Sequence, residues 1–302
     1  RYGCMTQMKP PPENPGRFTV DSWNAKASAL ICRRACPSAK QHSMIEPIFR
    51  NADRPRPKLR PFKALHHFRK LIADKEDTQQ VFYIFQCLPR PAVVDEAKSF
   101  VYSDAGKALR LSEPYLPDLL DDHARLRAMP EGSVARAYVD FMEREGLSAA
   151  GLVAEYDQFL AGRRYGDLLE WYFNRLRDTH DLLHVLTGYG RDSLGEQCVL
   201  AFTYGQNPAP GHIFIAYMGG LNVKRTTRSD APVFKAINEA RKSGRGCPRL
   251  IEQSIISLLA EPLTSARQRL NIVGPQYYGI AHDRFRARGL DPYDLRGTAQ
   301  AA

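Results

Sequence analysis

Within this chain, His180-Asp181-Leu182-Leu183-His184, followed after eleven residues by Glu196, combines residue types and spacing that can hold a metal ion. On a helix each residue advances about 100°, so positions four apart lie about 40° from each other. His180 and His184 therefore project from one face a single turn apart, where one ion can accept both imidazoles. Asp181, three residues before His184, borders that face. Gly188-Tyr189-Gly190 is a turn, and a chain folded back there brings Glu196 round to face the pair. Two imidazoles with one or two carboxylates make a mixed nitrogen and oxygen donor set. Such a set favours a divalent metal, zinc first, with iron, manganese or magnesium as alternatives. A His-x3-His pair by itself arises by chance. Here the surrounding helix is strongly apolar, and four ionisable groups converging on one wall need a counter-charge, which a cation supplies. His180, Asp181, His184 and Glu196 are thus the expected metal ligands and catalytic centre.

Two hydrolase patterns lie close to this one. HDLLH has the outline of the His-Glu-x-x-His zinc-protease motif, but Asp181 is one methylene shorter than the glutamate that acts there as general base. An adjacent His-Asp pair also suits metal phosphohydrolases, which need another histidine upstream and an aspartate downstream. His123 and Asp192 are available, though without matching context.

The elements that must carry these residues read as helices. Asp167–Thr187 is the longest candidate, with Leu168, Trp171, Tyr172, Leu176, Leu183 and Leu186 on one broad face. Ser193 caps a second helix of about a dozen residues, and the two form an αα-hairpin across the glycine turn. Helical spacing recurs in 62–73, 78–88, 92–109, 231–243, 263–270 and 275–288. Ser133 and Ser148 cap helices running to about Gly146 and Phe159. Gly211–Met218 fits either a strand or a buried helix. The fold class that follows is all-α: a multi-helix bundle with the αα-hairpin carrying the metal site. Residues 61–290 make one helical domain. Residues 1–60 are expected as a disordered basic extension and Pro/Arg-rich lead-in, with Met44 a candidate natural start, and 291–302 as a tail.

Charge narrows the partners. The net charge is +10, yet residues 1–72 hold 15 Lys+Arg against 4 Asp+Glu, leaving the rest of the chain at −1. A near-neutral body without a basic, aromatic-interleaved stripe sets nucleic acid aside. A basic arm beside it suits anionic lipid headgroups. The longest apolar run, Ile213–Met218, is far short of the roughly 18–20 residues of a membrane span. The six cysteines give no disulfide framework, and Cys32-x3-Cys36 lacks a second pair at metal spacing.

The segment RLRDTHDLLHVLTGYGRDSLGEQCVLAF resembles the signature of the ubiquinone (coenzyme Q) biosynthesis protein Coq4 family. PEGSVARAYVDFM, Pro130–Met142, is similar to that family's turn and helix, and the stretch Ala240–Ile272 resembles its ending more loosely. The likeness runs from about residue 75 to 285. It implies a helical fold and a metal held at the positions of His180, Asp181, His184 and Glu196. It implies a polyprenylated quinone precursor as ligand, a homodimer, and assembly with other ubiquinone-biosynthesis enzymes. Peripheral attachment to the inner membrane follows, on the cytoplasmic side in a bacterium or the matrix side in a mitochondrion. The implied activity is metal-dependent decarboxylation, in one version oxidative, at the ring carbon bearing the carboxylate of a polyprenylated hydroxybenzoate. A non-catalytic prenyl-lipid-binding scaffold is the alternative. Arg175 and Arg177, one turn before His180, are candidates to hold the substrate carboxylate, against a plain salt-bridged role. Tyr156, Trp171 and Tyr172 could line an isoprenoid tunnel or simply fill the core. The sequence departs from the family in lacking a tryptophan near Ile251–Leu259 and in the segment Thr203–Lys224.

Overall fold

A computed structural model describes residues 47–74 and 77–295. The expected basic extension before residue 47, with Met44 and the first three cysteines, and the last residues of the tail lie outside these. Helices follow one another along the chain: α1 (Pro61–Ala73), α2 (Gln79–Cys87), α3 (Ala92–Tyr102), α4 (Asp104–Ser112), α5 (Leu116–Leu120), α6 (His123–Arg127), α7 (Val134–Glu145) and α8 (Ala149–Phe159). Then come α9 (Leu168–Asp178), α10 (His180–Thr187), α11 (Ser193–Gln206), α12 (Pro210–Thr227), α13 (Val233–Gly246), a 3-10 turn at Leu250–Glu252, α14 (Ile255–Ala260), α15 (Leu263–Arg269) and α16 (Gln276–Arg286). Among the described residues there is no β-strand, only an isolated bridge between Ser133 and Pro262. The all-α, multi-helix class read from the periodicity is the class observed.

Capping chemistry sets the boundaries. Ser133, Ser148 and Asp167 each accept a backbone N–H from the first turn of α7, α8 and α9, satisfying donors that the helix leaves open. Asp192, rather than the expected Ser193, does the same twice for α11, and Ser193 is the first residue inside the helix. Gly146 and Gly188 take the left-handed conformation that closes α7 and α10.

Two further expectations need correction, and one open alternative is resolved. Asp167–Thr187 is not one helix: Thr179, at φ −89° and ψ 2°, divides α9 from α10. Its hydroxyl donates to the Arg175 carbonyl at 2.9 Å, a local bond that competes with the helical ladder. The stretch 92–109 is likewise split, because Ser103 donates to Phe100 O at the end of α3 and caps α4 through Gly106 N–H. Gly211–Met218 is helical and sits inside α12, where Pro210 supplies a pre-set first position.

The main core gathers Tyr138, Met142, Leu182, Leu186, Leu194, Val199, Phe202 and Ile237, all buried, from α7, α10, α11 and α13. A second cluster joins Phe100, Leu168, Tyr172 and Ile251. Helix α11 lies between α12 and α13, and α10 rests on α7. Gly244 makes the α11–α13 crossing possible: a Cβ there would stand 2.1 Å from the Phe202 carbonyl oxygen. Residues 47–60 carry no regular helix, yet they are tied to the body. Arg54 makes a two-pronged contact with Asp167, and Leu168 and Leu169 N–H donate to Ile48 and Phe49 O.

Candidate metal centre and its cavity

The α10–α11 hairpin does what its spacing requires. His180, Asp181 and His184 bring ligand atoms within 4.8 Å of one another, forming a group that could hold a metal ion. Glu196, in the first turn of α11, faces them from the return helix. Its carboxylate oxygens lie 3.7 Å from His180 Nε2 and 3.6 Å from His184 Nε2. Those gaps exceed a hydrogen bond. They are close to the roughly 3.4 Å between two donors that share a tetrahedral zinc at about 2.1 Å each.

His184 carries the clearest sign of a ligand. The ring is buried, stacked on Phe141 and edge-on to His180. Nδ1 donates to the Tyr189 carbonyl at 2.9 Å, which leaves Nε2 the unprotonated nitrogen of the neutral ring. That Nε2 is buried and has no hydrogen-bond partner. Such an orphan is costly unless something completes it, and a cation would. Among the described residues the Asp181 carboxylate has no hydrogen-bond or ion-pair partner, and it lines the same space.

Electrostatics agree with this grouping. Burial disfavours the His184 imidazolium, but the Glu196 carboxylate together with Asp181 and the Tyr189 carbonyl outweighs it and leaves the pKa raised. Burial would raise Glu196; His184 and His180 together overcome that and hold it far below the usual carboxylate range. Asp178 is pushed up to about 6, by burial first and by Asp181, although Arg177 pulls the other way.

The cluster opens into a cavity of about 1630 Å³, whose walls come from α1, α2, α8, α9, α10, α11, α12 and the lead-in. Ligand pockets are commonly about 300–1,000 Å³, so this one suits a long molecule. Most of its wall is apolar, with Phe82, Phe85, Leu152, Leu183, Leu200 and Ile215 among the lining residues. Arg56, Lys58 and Arg60 of the lead-in are exposed and line it too.

The expected accessory residues divide. Arg177 lines the cavity and pairs with Asp178 at 2.6 Å. Arg175 does not face it: its guanidinium is sealed in an ion pair with Glu113 at 2.8 Å and donates to Ile251 and Gln253 carbonyls. Glu113 in turn accepts from the Ser254 hydroxyl and Ile256 N–H. The substrate role expected for Arg175 therefore gives way to a packing role between α9 and the segment after α13. Tyr156 lines the cavity, whereas Tyr172 is fully buried with its hydroxyl on Arg249, and Trp171 stacks on Phe100. His123 pairs with Glu143 on the surface, apart from the cluster.

Two cavity residues escaped the sequence reading. Arg191 places Nε 3.7 Å from Glu196, a loose contact, in the turn before α11. His212, on α12, has a buried Nδ1 without a partner, and burial, helped by His180, pushes its pKa down to about 3. Arg191 read as an ordinary turn residue. His212 belonged to the segment whose secondary structure was ambiguous, so no face could be assigned to it.

Among known families, the one described as coenzyme Q (ubiquinone) biosynthesis protein Coq4 matches residues 97–276. Mitochondrial ubiquinone biosynthesis protein COQ4 homologs are similar. The Mus musculus protein is 30% identical over 156 residues, covering 51% of this chain and 55% of the relative. The Bos taurus protein is 29% identical over the same length, covering 51% and 56%. The chain thus spans about half the length of these curated relatives. A solved structure of a Nostoc punctiforme protein superposes with a TM-score of 0.52 at 21% identity, covering 70% of this chain and 98% of that one. It supports the fold.

Proposed function

This chain belongs to the coenzyme Q (ubiquinone) biosynthesis Coq4 family, and from that premise we propose that it removes the ring carboxylate of a polyprenylated hydroxybenzoate in a metal-dependent reaction. One observation carries the reading: the buried, unpartnered Nε2 of His184 stands beside His180, Asp181 and Glu196 where a large apolar cavity meets charged groups. A substrate with a charged ring and a long hydrocarbon tail matches both parts. His180, His184, Glu196 and Asp181 would hold the ion, zinc by donor type, with iron, manganese or magnesium as alternatives. When bound, the metal supplies Lewis-acid stabilisation of negative charge on the carboxylate or the neighbouring phenol.

The chain's own residues do the rest. Arg177 and Arg191 flank the cluster and meet the substrate carboxylate, taking the place given to Arg175. The neutral His212 imidazole offers a hydrogen bond to the ring substituents. The apolar wall takes the prenyl tail and excludes water, which strengthens each charged contact. In the plain reaction the ring–carboxylate bond breaks, carbon dioxide leaves, and a proton replaces it on the ring. In the oxidative version dioxygen and a two-electron reductant are the co-reactants: one oxygen atom becomes the ring hydroxyl in place of the departing carbon dioxide, and the other leaves as water.

Partners follow from the same reading: a membrane surface supplying the lipid, other quinone-pathway enzymes, and a second copy of the chain. The location is the inner membrane, cytoplasmic face in a bacterium or matrix face in a mitochondrion. No helix among the described residues is long and apolar enough to cross a membrane.

Purified protein with a short-tailed prenyl hydroxybenzoate, followed by mass spectrometry of ring products and by metal analysis, tests the proposal. His184→Ala should lose both metal and turnover. Metal and lipid bound without turnover in the wild type would replace the enzyme by the scaffold. Turnover of water-soluble esters or phosphates instead would replace it by a hydrolase.

A further inference from the structure

Behind the metal cluster, on the side away from the ligand atoms, the α10–α11 turn meets a second group of buried polar residues. Tyr278 and His282 come from α16, and Asp192 from the turn itself. The Tyr278 hydroxyl donates to Asp192 Oδ2 and accepts the Gly190 N–H at 3.0 Å. His282 Nε2 lies 3.2 Å from Asp192 Oδ1. The same Oδ1 accepts the N–H groups of Leu194 and Gly195 at 3.0 and 3.2 Å. All three side chains are buried.

The peptide bond between Tyr189 and Gly190 links this group to the metal ligands. Its carbonyl accepts His184 Nδ1–H, and its N–H donates to Tyr278. A peptide is planar and stiff, so rotation that breaks one of these bonds breaks the other. The orientation of His184 is therefore coupled through one rigid plane to Tyr278, and through Tyr278 to Asp192 and His282. Asp192 also fixes the first turn of α11, from which Glu196 projects. One carboxylate thus governs the placement of groups on both arms of the hairpin.

We propose that Asp192, Tyr278 and His282 are positioning residues that aim His184 and Glu196 at a shared ion. The inference rests on the metal reading above and extends it to α16, beyond the family match at residues 97–276. The three residues touch neither metal nor substrate; they act through the Tyr189–Gly190 peptide and the start of α11.

Tyr278→Phe removes a single hydroxyl and is the direct test. Titration of the metal-free full chain with zinc against a chromogenic chelator should show affinity about 10–100-fold weaker than wild type, the usual effect of losing a partner that orients a metal-bound histidine. In the metal-free protein, the slowly exchanging Nδ1–H resonance of His184 should broaden or vanish in the nitrogen-15 spectrum. His282→Ala should act in the same direction, and His282→Gln, which keeps an N–H donor for Asp192, should restore the wild-type values. Tyr172→Phe, equally buried but on Arg249, controls for plain loss of stability. A Tyr278→Phe protein with wild-type zinc affinity and an unchanged His184 resonance overturns the proposal, as does an equal loss in Tyr172→Phe. If the wild type takes up none of zinc, iron, manganese or magnesium, the metal reading fails alone, and the His184 resonance still decides whether α16 orients the ring.

Discussion

Two arginines two residues apart in sequence illustrate how little the type of a side chain says about its work. Arg175 and Arg177 were equal candidates for an anion. The helical turn sends one into the buried pair with Glu113 and the other into the cavity beside Asp178. Removing one partner of a fully buried pair leaves the other charge uncompensated, at a cost of about 3–5 kcal/mol. Arg175→Ala should lower unfolding free energy in urea by about that amount while the folded fraction keeps its zinc stoichiometry. Loss of zinc with unaltered stability would return Arg175 to the site. The His184–Glu196 pair makes a pH prediction for the metal-free chain. His184 is raised above its ordinary value of 6.5, so its contribution is complete below that pH and fades as pH rises through the higher folded value. Glu196 is depressed below 4.5, so its contribution is complete above that pH and is lost only as pH falls toward the much lower folded value. The melting-temperature difference between wild type and Glu196→Gln should be greatest between about pH 4.5 and 6.5. Zinc reverses the trend, because protons compete for His184: zinc-induced stabilisation should grow as pH rises above that window.

Helix α11 is the element on which the site depends, since it carries Glu196 at one end and packs into the core along its length. Its approach to α13 is set by Gly244, where any Cβ would press on the Phe202 carbonyl. That contact is backbone, so a clash cannot be relieved by a side-chain rotation. Gly244→Ala should therefore cost about 1–3 kcal/mol by overpacking, read in urea unfolding. The same substitution at Gly246, where the nearest atom is the end of the Asn271 side chain at 3.3 Å, should cost less. Equal costs at the two positions would count against the close crossing. The break at Thr179 is a second feature of this scale. It makes α10 a separate helix of eight residues that begins at His180, so the two imidazoles and Asp181 belong to one rigid piece.

At the scale of the molecule, a long apolar cavity and an exposed basic lead-in occur together. Arg56, Lys58 and Arg60 line the cavity, and Leu59 and Phe62 beside them are 70% and 87% exposed. A membrane-dwelling substrate would enter most easily where such a segment rests on anionic headgroups, each basic side chain adding about 1 kcal/mol. Sedimentation with vesicles containing phosphatidylserine should retain the protein at low salt and release it as salt rises. Replacing Arg56, Lys58 and Arg60 together by Ala should weaken retention about tenfold or more without changing zinc binding. Equal binding to neutral phosphatidylcholine vesicles would remove charge as the cause.

Periodicity alone was enough for the all-α class and for the αα-hairpin, because burial of one helical face imposes a 3.6-residue repeat that is visible locally. Spacing likewise put His180, Asp181 and His184 on one wall, since four residues make about one turn whatever surrounds them. Glycine and serine placement located both ends of α7, the start of α8 and the end of α10, but not the start of α11, which Asp192 caps instead of Ser193. The sequence could not report contacts made across long separations. Glu113 claims Arg175 from 62 residues away, and Tyr278 holds Gly190 from 88. His212 reaches the cavity only because α12 lies along α11. Breaks at Ser103 and Thr179 depend on side-chain hydroxyls choosing backbone carbonyls over solvent, a choice fixed by packing. Local geometry is encoded by neighbours in the chain; partner choice for a buried charge or polar group is decided where distant segments exclude water together.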